Sequence, residues 1–390
     1  MSNSFNVFAG ELFTETAILE KAWLQVTDGV ITSISPQQPA QVAPVIDLAD
    51  SRVLPGFIDM HIHGCGGFDV MDDDPEAIST ISTHLASKGV TGFLATTVTN
   101  DWDTTLGSLE RLGRECHKQQ PGASLLGIYS EGLFFTECHK GAHESQLFLA
   151  PEPERLERMI QAAAGNLKIV ALAPELPEAG EAIKYLRKQG IHVSMGHTDA
   201  TYQQVVEAVR QGASSGVHIF NGMSALHHRE PGCPGAILAE PGVLAELIAD
   251  GIHVHPAVLS IVARCKGWQK TALISDCNRA GMMPDGVYAL GAYDVNVIDG
   301  VARTASGSLA GSTLSLDRAV ANMVQLAGTD PLAAVHMASL APAMHLGIAD
   351  QQGSIAVGKK ANFVATDKNF TVKTTWIDGS VVYHNDNERT

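Results

Sequence analysis

The chain is short of aromatic residues, long apolar runs and a recognisable export signal. Aromatic residues make up 6% of its 390 residues, although 45% are apolar. No apolar run reaches the about 18 residues that a membrane span needs. The opening MSNSFNVFAGELF lacks the basic and apolar regions of a secretory signal. We therefore expect a cytoplasmic, globular protein with a sizeable core and no membrane partner.

Basic side chains are also in deficit. Lys and Arg number 26 against 42 Asp and Glu, which gives a net charge of −16. This balance argues against nucleic acid or an anionic membrane surface as the partner. An anionic small molecule remains possible, because one Arg or one helix N-terminus can attract it locally.

Cysteines are few and never spaced as CxxC. We interpret all six as free thiols in a reducing cytosol: Cys65, Cys116, Cys138, Cys233, Cys265 and Cys277.

Both ends of the chain have the pattern of short strands. Asp28-Gly29 and Asp378-Gly379 lie between β-branched runs and predict hairpin turns. We predict one small β domain built from residues 1–54 and 350–390, and a catalytic domain from residues 55–349.

The middle of the chain alternates β-rich apolar runs with helical periodicity. Eight such units favour a (β/α)₈ barrel. A doubly wound open sheet is the alternative, disfavoured because no GxGxxG turn follows an early strand. Further helices are expected at 314–327 and 331–339. The predicted barrel strands are 55–60, 92–98, 125–130, 168–173, 191–195, 215–220, 246–249 and 271–275.

Polar side chains cluster where these strands end. Carboxyl ends of barrel strands meet on one rim, where active sites form, so these side chains should converge. They are His61, His63, Glu131, Pro174, Glu175, His197, His218, Asp250, His253 and Asp276.

Their residue types suit a metal centre. His61 and His63 share a strand face because they are two residues apart. Imidazoles and carboxylates bind zinc or ferrous iron, and Glu131 could bridge two ions. A single His in an apolar strand is usually an ordinary core residue, but the set as a whole favours metal binding. Asp276 could accept the proton of an attacking water.

The stretch from 218 to 232, HIFNGMSALHHREPG, suggests anion binding. Arg229 offers a planar fork for phosphate, and backbone N–H groups at Asn221-Gly222 could bind an oxyanion. The alternative is an ordinary surface loop. The Gly/Ser-rich turn at 304–317 is a weaker candidate, because a helix N-cap would explain it equally well.

Motifs along nearly the whole chain resemble those of the N-acetylhexosamine-6-phosphate deacetylases of the amidohydrolase superfamily. The matching stretches are LPGFIDMHIHG (54–64), SEGLFFTECHKGAH (130–143), LAPE (172–175), VSMGHTDAT (193–201), GVHIFNGMSALHHREPG (216–232), ELIADGIHVHP (246–256), LISDCNRAG (273–281), SGSLAGSTLSLDRAV (306–320) and GSIAVGKKANFV (353–364).

The resemblance implies a distorted (β/α)₈ barrel with a small β-sandwich domain, and a homodimer. It implies one or two divalent ions, zinc or iron, and hydrolysis of the acetamide of an aminosugar 6-phosphate. Implied metal ligands are Glu131, His197, His218, the pair His61 and His63 found in some members, and Asp276. Implied catalytic residues are Asp276 as acid/base and His143 beside the carbonyl oxygen. Implied substrate contacts are Ala142, His143, Asn221, Gly222, Arg229, His253, Leu309, Ala310 and Gly311.

Three departures from the family pattern stand out. Gly132-Leu133-Phe134 follows Glu131 where members more often carry Gly-Pro, and Cys277 adjoins Asp276. Many amidohydrolases carry a carboxylated lysine after the fourth strand, and this chain has no Lys there. Glu131 must therefore supply any carboxylate that bridges two ions.

We expect N-acetylglucosamine 6-phosphate as substrate, with the galacto isomer as the alternative. Another amidase of the superfamily, or an inactive barrel kept as a binding protein, are the competing hypotheses.

Overall fold

The computed structural model describes residues 4–40, 43–291 and 293–385. The predicted terminal segments 1–54 and 350–390 therefore include residues 1–3, 41–42 and 386–390, which lie outside the described residues. Within the described ranges, every helix is too short or too polar to cross a bilayer.

Strands from both ends of the chain form one seven-stranded sheet in the order β20-β19-β18-β4-β1-β2-β3. Its apolar face packs around Leu24, Phe363 and Trp376, all buried. The division of domains at residues 54 and 350 remains a prediction. The strands are β1 (Ser4–Phe13), β2 (Ile18–Thr27), β3 (Val30–Ser35), β4 (Val45–Pro55), β18 (Phe363–Thr366), β19 (Val372–Ile377) and β20 (Ser380–His384).

The two Asp-Gly pairs form the tight hairpin turns that the sequence predicts. Thr27 pairs with Val30, and Ile377 pairs with Ser380. Asp28, Gly29, Asp378 and Gly379 all have φ between +47° and +78°, as a two-residue type I′ turn requires. The two turns also touch, since a Cβ at Gly29 would lie 2.7 Å from the carbonyl oxygen of Asp378.

Eight parallel strands form the barrel in the order β5-β8-β9-β10-β11-β12-β13-β14. The Asp276 N–H donates to the His61 carbonyl at 2.9 Å, and the His63 N–H to the Cys277 carbonyl at 2.8 Å, so the first and last strands meet. The barrel is confirmed over the doubly wound sheet. The strands are β5 (Phe57–Ile62), β8 (Val90–Thr97), β9 (Ser124–Ser130), β10 (Leu167–Leu172), β11 (His192–Met195), β12 (Ser215–Gly216), β13 (Leu244–Ile248) and β14 (Thr271–Ile274).

The sixth barrel strand is shorter than predicted. The predicted run 215–220 was wrong beyond Gly216, because the backbone leaves the extended conformation there: His218 has φ +25° and Phe220 has φ +79°. His218 therefore lies on a turn that follows the strand rather than on the strand.

Helices surround the barrel and bury one apolar side each. α5 illustrates the local signals: Thr201 and Gln204 form a capping box at its start, and Val205 and Ala208 face the core. The helices are α1 (Ala77–Ala86), α2 (Trp102–Glu115), α3 (Pro153–Ala162), α4 (Ala179–Lys188), α5 (Tyr202–Gln211), α6 (Gly232–Ala239), α7 (Pro256–Lys266), α8 (Leu316–Gln325), α9 (Pro331–Ala338) and α10 (Leu340–His345).

Two small sheets were not predicted. A two-stranded sheet follows β5, and a three-stranded antiparallel sheet follows β14 at the carboxyl rim. They consist of β6 (Gly64–Cys65) with β7 (Phe68–Asp69), and of β15 (Gly286–Leu290), β16 (Tyr293–Ile298) and β17 (Val301–Thr304).

The contact between the two Asp-Gly turns predicts an unequal cost for two glycine substitutions. Gly29 and Gly190 have nearly the same φ, +78° and +76°, but a Cβ at Gly190 meets nothing within 4 Å. Gly190→Ala should lower the free energy of unfolding by about 1 kcal/mol through its backbone conformation alone. Gly29→Ala should lower it by about 2 kcal/mol or more, because its Cβ also meets a backbone oxygen. Urea unfolding of both variants checks this, and equal losses would contradict it.

Candidate metal centre and active site

The predicted metal-ligating side chains converge at the carboxyl rim of the barrel. Each is buried, and each lies within the last two positions of a strand or within two residues beyond it. Two groups of buried side chains have potential ligand atoms that all lie within 4.8 Å of one another: His61, His63 and Asp276, and Glu131, His143 and His197. The predicted ligand His218 belongs to neither group, but its Nε2 lies 3.2 Å from Glu131 Oε1.

Backbone conformation brings three of these side chains inward. His197, His218 and Asp276 each follow a strand by two residues and have φ of +48°, +25° and +49°. Residues other than glycine rarely adopt positive φ, and such positions concentrate at functional sites. The left-handed residue turns the chain sharply, which directs the side chain across the barrel mouth.

Glu131 lies at the centre of the group. Its Oε1 is 3.2 Å from His218 Nε2 and 3.4 Å from His197 Nε2. Its Oε2 is 3.2 Å from His63 Nε2 and 3.5 Å from His61 Nε2. One carboxylate oxygen thus faces each pair of histidines.

Asp276 faces the first pair from the other side. Its Oδ1 is 3.1 Å from His63 Nε2 and 3.5 Å from His61 Nε2. Burial raises the pKa of Asp276, but a hydrogen bond from His63 and the charge of His61 outweigh it and lower the pKa to about 2. The carboxylate is therefore ionised at neutral pH.

The imidazoles are held with Nε2 towards the centre. Three of them make a hydrogen bond from Nδ1 to a backbone carbonyl: His63 to Thr96 at 3.0 Å, His197 to His139 at 2.9 Å and His218 to Asn221 at 3.1 Å. A carbonyl only accepts, so Nδ1 of each ring carries a proton, and Nε2 presents its lone pair whenever the ring is neutral.

This arrangement fits a divalent cation. His197 Nε2 and His218 Nε2 are 3.2 Å apart, so two neutral rings would face each other with lone pairs. His61 Nε2 is buried and makes no hydrogen bond. Protons or a cation must satisfy these atoms. Burial lowers the pKa of His63, yet hydrogen bonds to Asp276 and Glu131 raise it to about 10.

His143 has a different environment. Its Nδ1 lies 2.7 Å from Thr99 Oγ1, which in turn accepts a bond from the Leu133 N–H at 3.4 Å. The hydroxyl hydrogen of Thr99 is then free to reach Nδ1, which leaves the proton of His143 on Nε2. Burial and the neighbouring His197 lower the pKa of His143 well below its usual value. His143 is therefore a neutral donor 3.8 Å from Glu131 Oε2.

A cavity of about 290 Å³ opens above these groups. Most of the predicted substrate contacts line it, together with Leu290 of β15, so the unpredicted three-stranded sheet forms part of its wall. The predicted residues in the lining are His63, Glu131, Ala142, His143, His197, His218, Asn221, Gly222, His253, Asp276, Leu309 and Gly311.

Three predicted site residues do not line this cavity. His61 lies behind it and is inaccessible. Ala310 is buried, and its carbonyl accepts a bond from the Asn278 side chain at 2.8 Å. Arg229 is on an exposed loop, where its Nη1 lies 2.7 Å from His228 Nε2.

Sequence reasoning missed the groups that hold the ligands. Glu246 lies 3.1 Å from His61 Nδ1, and Thr99 contacts His143. An acidic residue inside the apolar run Leu244–Ile248 was the available signal for Glu246. No comparable signal marked Thr99 among its neighbouring threonines.

The chain is similar over most of its length to two known deacetylases. It is 45% identical to N-acetylglucosamine-6-phosphate deacetylase of Vibrio furnissii, over 91% of this chain and 89% of that relative. It is 44% identical to N-acetylgalactosamine-6-phosphate deacetylase of Escherichia coli O157:H7, over 96% of this chain and 98% of that relative.

The fold is also similar to that of a solved structure. The crystal structure of N-acetyl-D-glucosamine-6-phosphate deacetylase from Mycobacterium smegmatis superimposes with a TM-score of 0.92 at 30% identity, over 97% of this chain and 100% of that one. The model of the amidohydrolase family matches residues 52–382. The chain belongs to the amidohydrolase family.

Proposed function

We propose that this protein hydrolyses the N-acetyl group of N-acetylglucosamine 6-phosphate to glucosamine 6-phosphate and acetate. The observation that carries the proposal is the Glu131 carboxylate facing four histidines, with Asp276 and His143 beside it, in one cavity. The activities named for the relatives at 44% and 45% identity supply the substrate class.

The cofactor is one or two divalent ions, zinc or iron. Glu131, His197 and His218 would hold one ion, and His61, His63 and Asp276 the other, with Glu131 between them. A metal in such a site lowers the pKa of a bound water to about 7 and polarises a carbonyl oxygen.

The protein's own groups move the protons. Asp276 accepts a proton from the attacking water as the water oxygen bonds to the acetamide carbon. Asp276 then returns the proton to the nitrogen as the carbon–nitrogen bond breaks, so the amine leaves neutral. The Nε2–H of His143 is placed to donate to the carbonyl oxygen, where negative charge develops.

The sugar phosphate is held by the remaining predicted contacts. Asn221, Gly222 and His253 line the cavity beside the metal ligands. Arg229 must leave His228 and turn towards the mouth to bind phosphate, which its exposed position permits. Binding of this remote group orients the amide at the reacting centre.

Two further properties belong to this proposal. The protein acts in the cytoplasm as a homodimer, and its partner is a small sugar phosphate rather than nucleic acid or membrane. The net charge of −16 supports the exclusion of nucleic acid.

The substrate is tested by comparing kcat/KM for the gluco sugar phosphate, the galacto isomer and unphosphorylated N-acetylglucosamine. We expect the gluco isomer to be preferred and loss of the phosphate to lower kcat/KM by at least about 100-fold. Arg229→Ala should raise KM, whereas Arg264→Ala, at an exposed position on α7, should not. A strong preference for the galacto isomer would contradict the choice of sugar, and indifference to phosphate would point to another amidase.

Asp276→Asn tests the proposed acid/base. The amide cannot accept the proton, so kcat should fall by about 10²–10⁴. The ion held by Glu131, His197 and His218 should stay bound, as elemental analysis would show. Asp103→Asn, at an exposed position on α2, is the control. An active Asp276→Asn enzyme would exclude this role.

Metal binding should release protons. In the metal-free protein the pKa of His63 is about 10, so at pH 7.5 its ring is protonated, and the proton must leave before Nε2 can bind a metal. At pH values below that pKa, the affinity for the metal should therefore rise with pH. The rise should be about tenfold per pH unit for each proton released. Calorimetric titration of metal-free protein with zinc, in two buffers of different ionisation heat, counts these protons. The His63→Ala variant should release fewer protons than the parent protein when zinc binds. If the parent protein released no protons, this expectation would be wrong.

A further inference from the structure

Glu246 is a fully buried carboxylate in the middle of β13. Its neighbours along the strand are apolar, and neither metal group contains it. A buried carboxylate is costly unless it is hydrogen-bonded, so its partners indicate why this position carries a charge.

Three donors surround this carboxylate. The Ser194 hydroxyl donates to Oε1 at 2.9 Å, and the Tyr129 hydroxyl does so at 3.2 Å. The third contact joins Oε2 to His61 Nδ1 at 3.1 Å. With the carboxylate oxygen accepting this hydrogen bond, Nδ1 carries the proton of a neutral His61 ring. The lone pair of that ring then lies on Nε2, which faces Glu131 and Asp276.

His61 differs in this respect from the other three histidines of the centre. The rings of His63, His197 and His218 are held by backbone carbonyls. Among these four described residues, His61 alone depends on a side chain for its orientation. The carboxylate–histidine pair is an arrangement that fixes a metal-binding imidazole and increases its basicity.

We propose that Glu246 is the positioning residue for His61, and that it determines whether the ion between His61, His63 and Asp276 is retained. Ser194 and Tyr129 donate the other hydrogen bonds to this carboxylate, and neither of them is needed for its contact with His61. The ion between Glu131, His197 and His218 does not depend on Glu246, because the rings of those two histidines have backbone partners. The inference rests on the metal binding in the proposed function.

The inference is tested on the purified full-length protein, stripped of metal and titrated with zinc against a chromophoric chelator. The variants are Glu246→Leu, which removes the acceptor, and Glu246→Gln, which keeps a neutral one. Tyr129→Phe and Ser194→Ala are matched controls, because each removes a donor to Glu246 and leaves the contact with His61. His61→Ala is the reference for loss of the ligand itself.

We expect two ions in the parent protein and in both controls. Glu246→Leu should weaken the second ion by roughly 10–100-fold and approach His61→Ala, with the first ion within about twofold of the parent. Glu246→Gln should weaken the second ion by at least roughly threefold. A purely structural role for Glu246 would instead weaken both ions together, or leave both unchanged, and either result would overturn the inference.

Three further outcomes are informative. If Glu246→Leu does not fold, Glu246→Gln decides the matter, and an unchanged second affinity there overturns the inference. A parent protein that deacetylates the sugar phosphate but binds one ion would also overturn it and leave the proposed function intact. Selective loss of the second ion in the Leu variant would support it even if the parent were inactive towards that sugar phosphate.

Discussion

The rim of the barrel depends on the contact between Glu131 and the four imidazoles that face it. Without that carboxylate, the buried Nε2 atoms of His197 and His218 would face each other at 3.2 Å, and Asp276 would be left to face those of His61 and His63. Burial raises the pKa of Glu131, but the charge of His61 and the hydrogen bonds from His197 and His218 lower it well below its usual value. The negative charge at the centre is thus maintained, and it attracts whatever cation balances it.

The loops around His197 show how closely backbone must approach such a centre. A Cβ at Gly222 would lie 2.8 Å from His197 Nδ1, and one at Gly141 would lie 3.3 Å from its Cε1. These glycines come from different loops, and both have positive φ. Glu175 ties the same region together by accepting bonds from Thr136, Thr198 and the Asp199 N–H. The ring of His197 is therefore fixed by backbone on two sides.

Much of this arrangement could be predicted from the sequence, because it depends on local patterns. His61 and His63 were predicted to point to the same side because residues two apart share a face in every β-strand. The rim position of Glu131, His197 and Asp276 follows from the barrel alone. The resemblance to known deacetylases then assigned roles that spacing does not provide, such as that of His143.

Other features could not be predicted because they depend on contacts between distant segments. Glu246 contacts His61, which lies 185 residues away in sequence. Its acidic side chain in an apolar strand marked the position as unusual, but it did not identify His61 as the partner. The short sixth strand results from the backbone turn at His218. Arg229 lies outside the cavity, beside His228, and motif matching carries no information on how a side chain is oriented.

The pairing of β4 with β18 in the terminal sheet has a consequence for synthesis of the chain. β4 ends at Pro55 and β18 begins at Phe363, so the whole barrel must leave the ribosome before this edge finds its partner. At ~5–20 residues per second, that interval is roughly 15–60 s. During it, β4 presents unpaired N–H and C=O groups, an edge on which nascent chains can associate. Early folding of the barrel, which brings Pro55 and Phe363 close together, would shorten the time that this edge stays exposed.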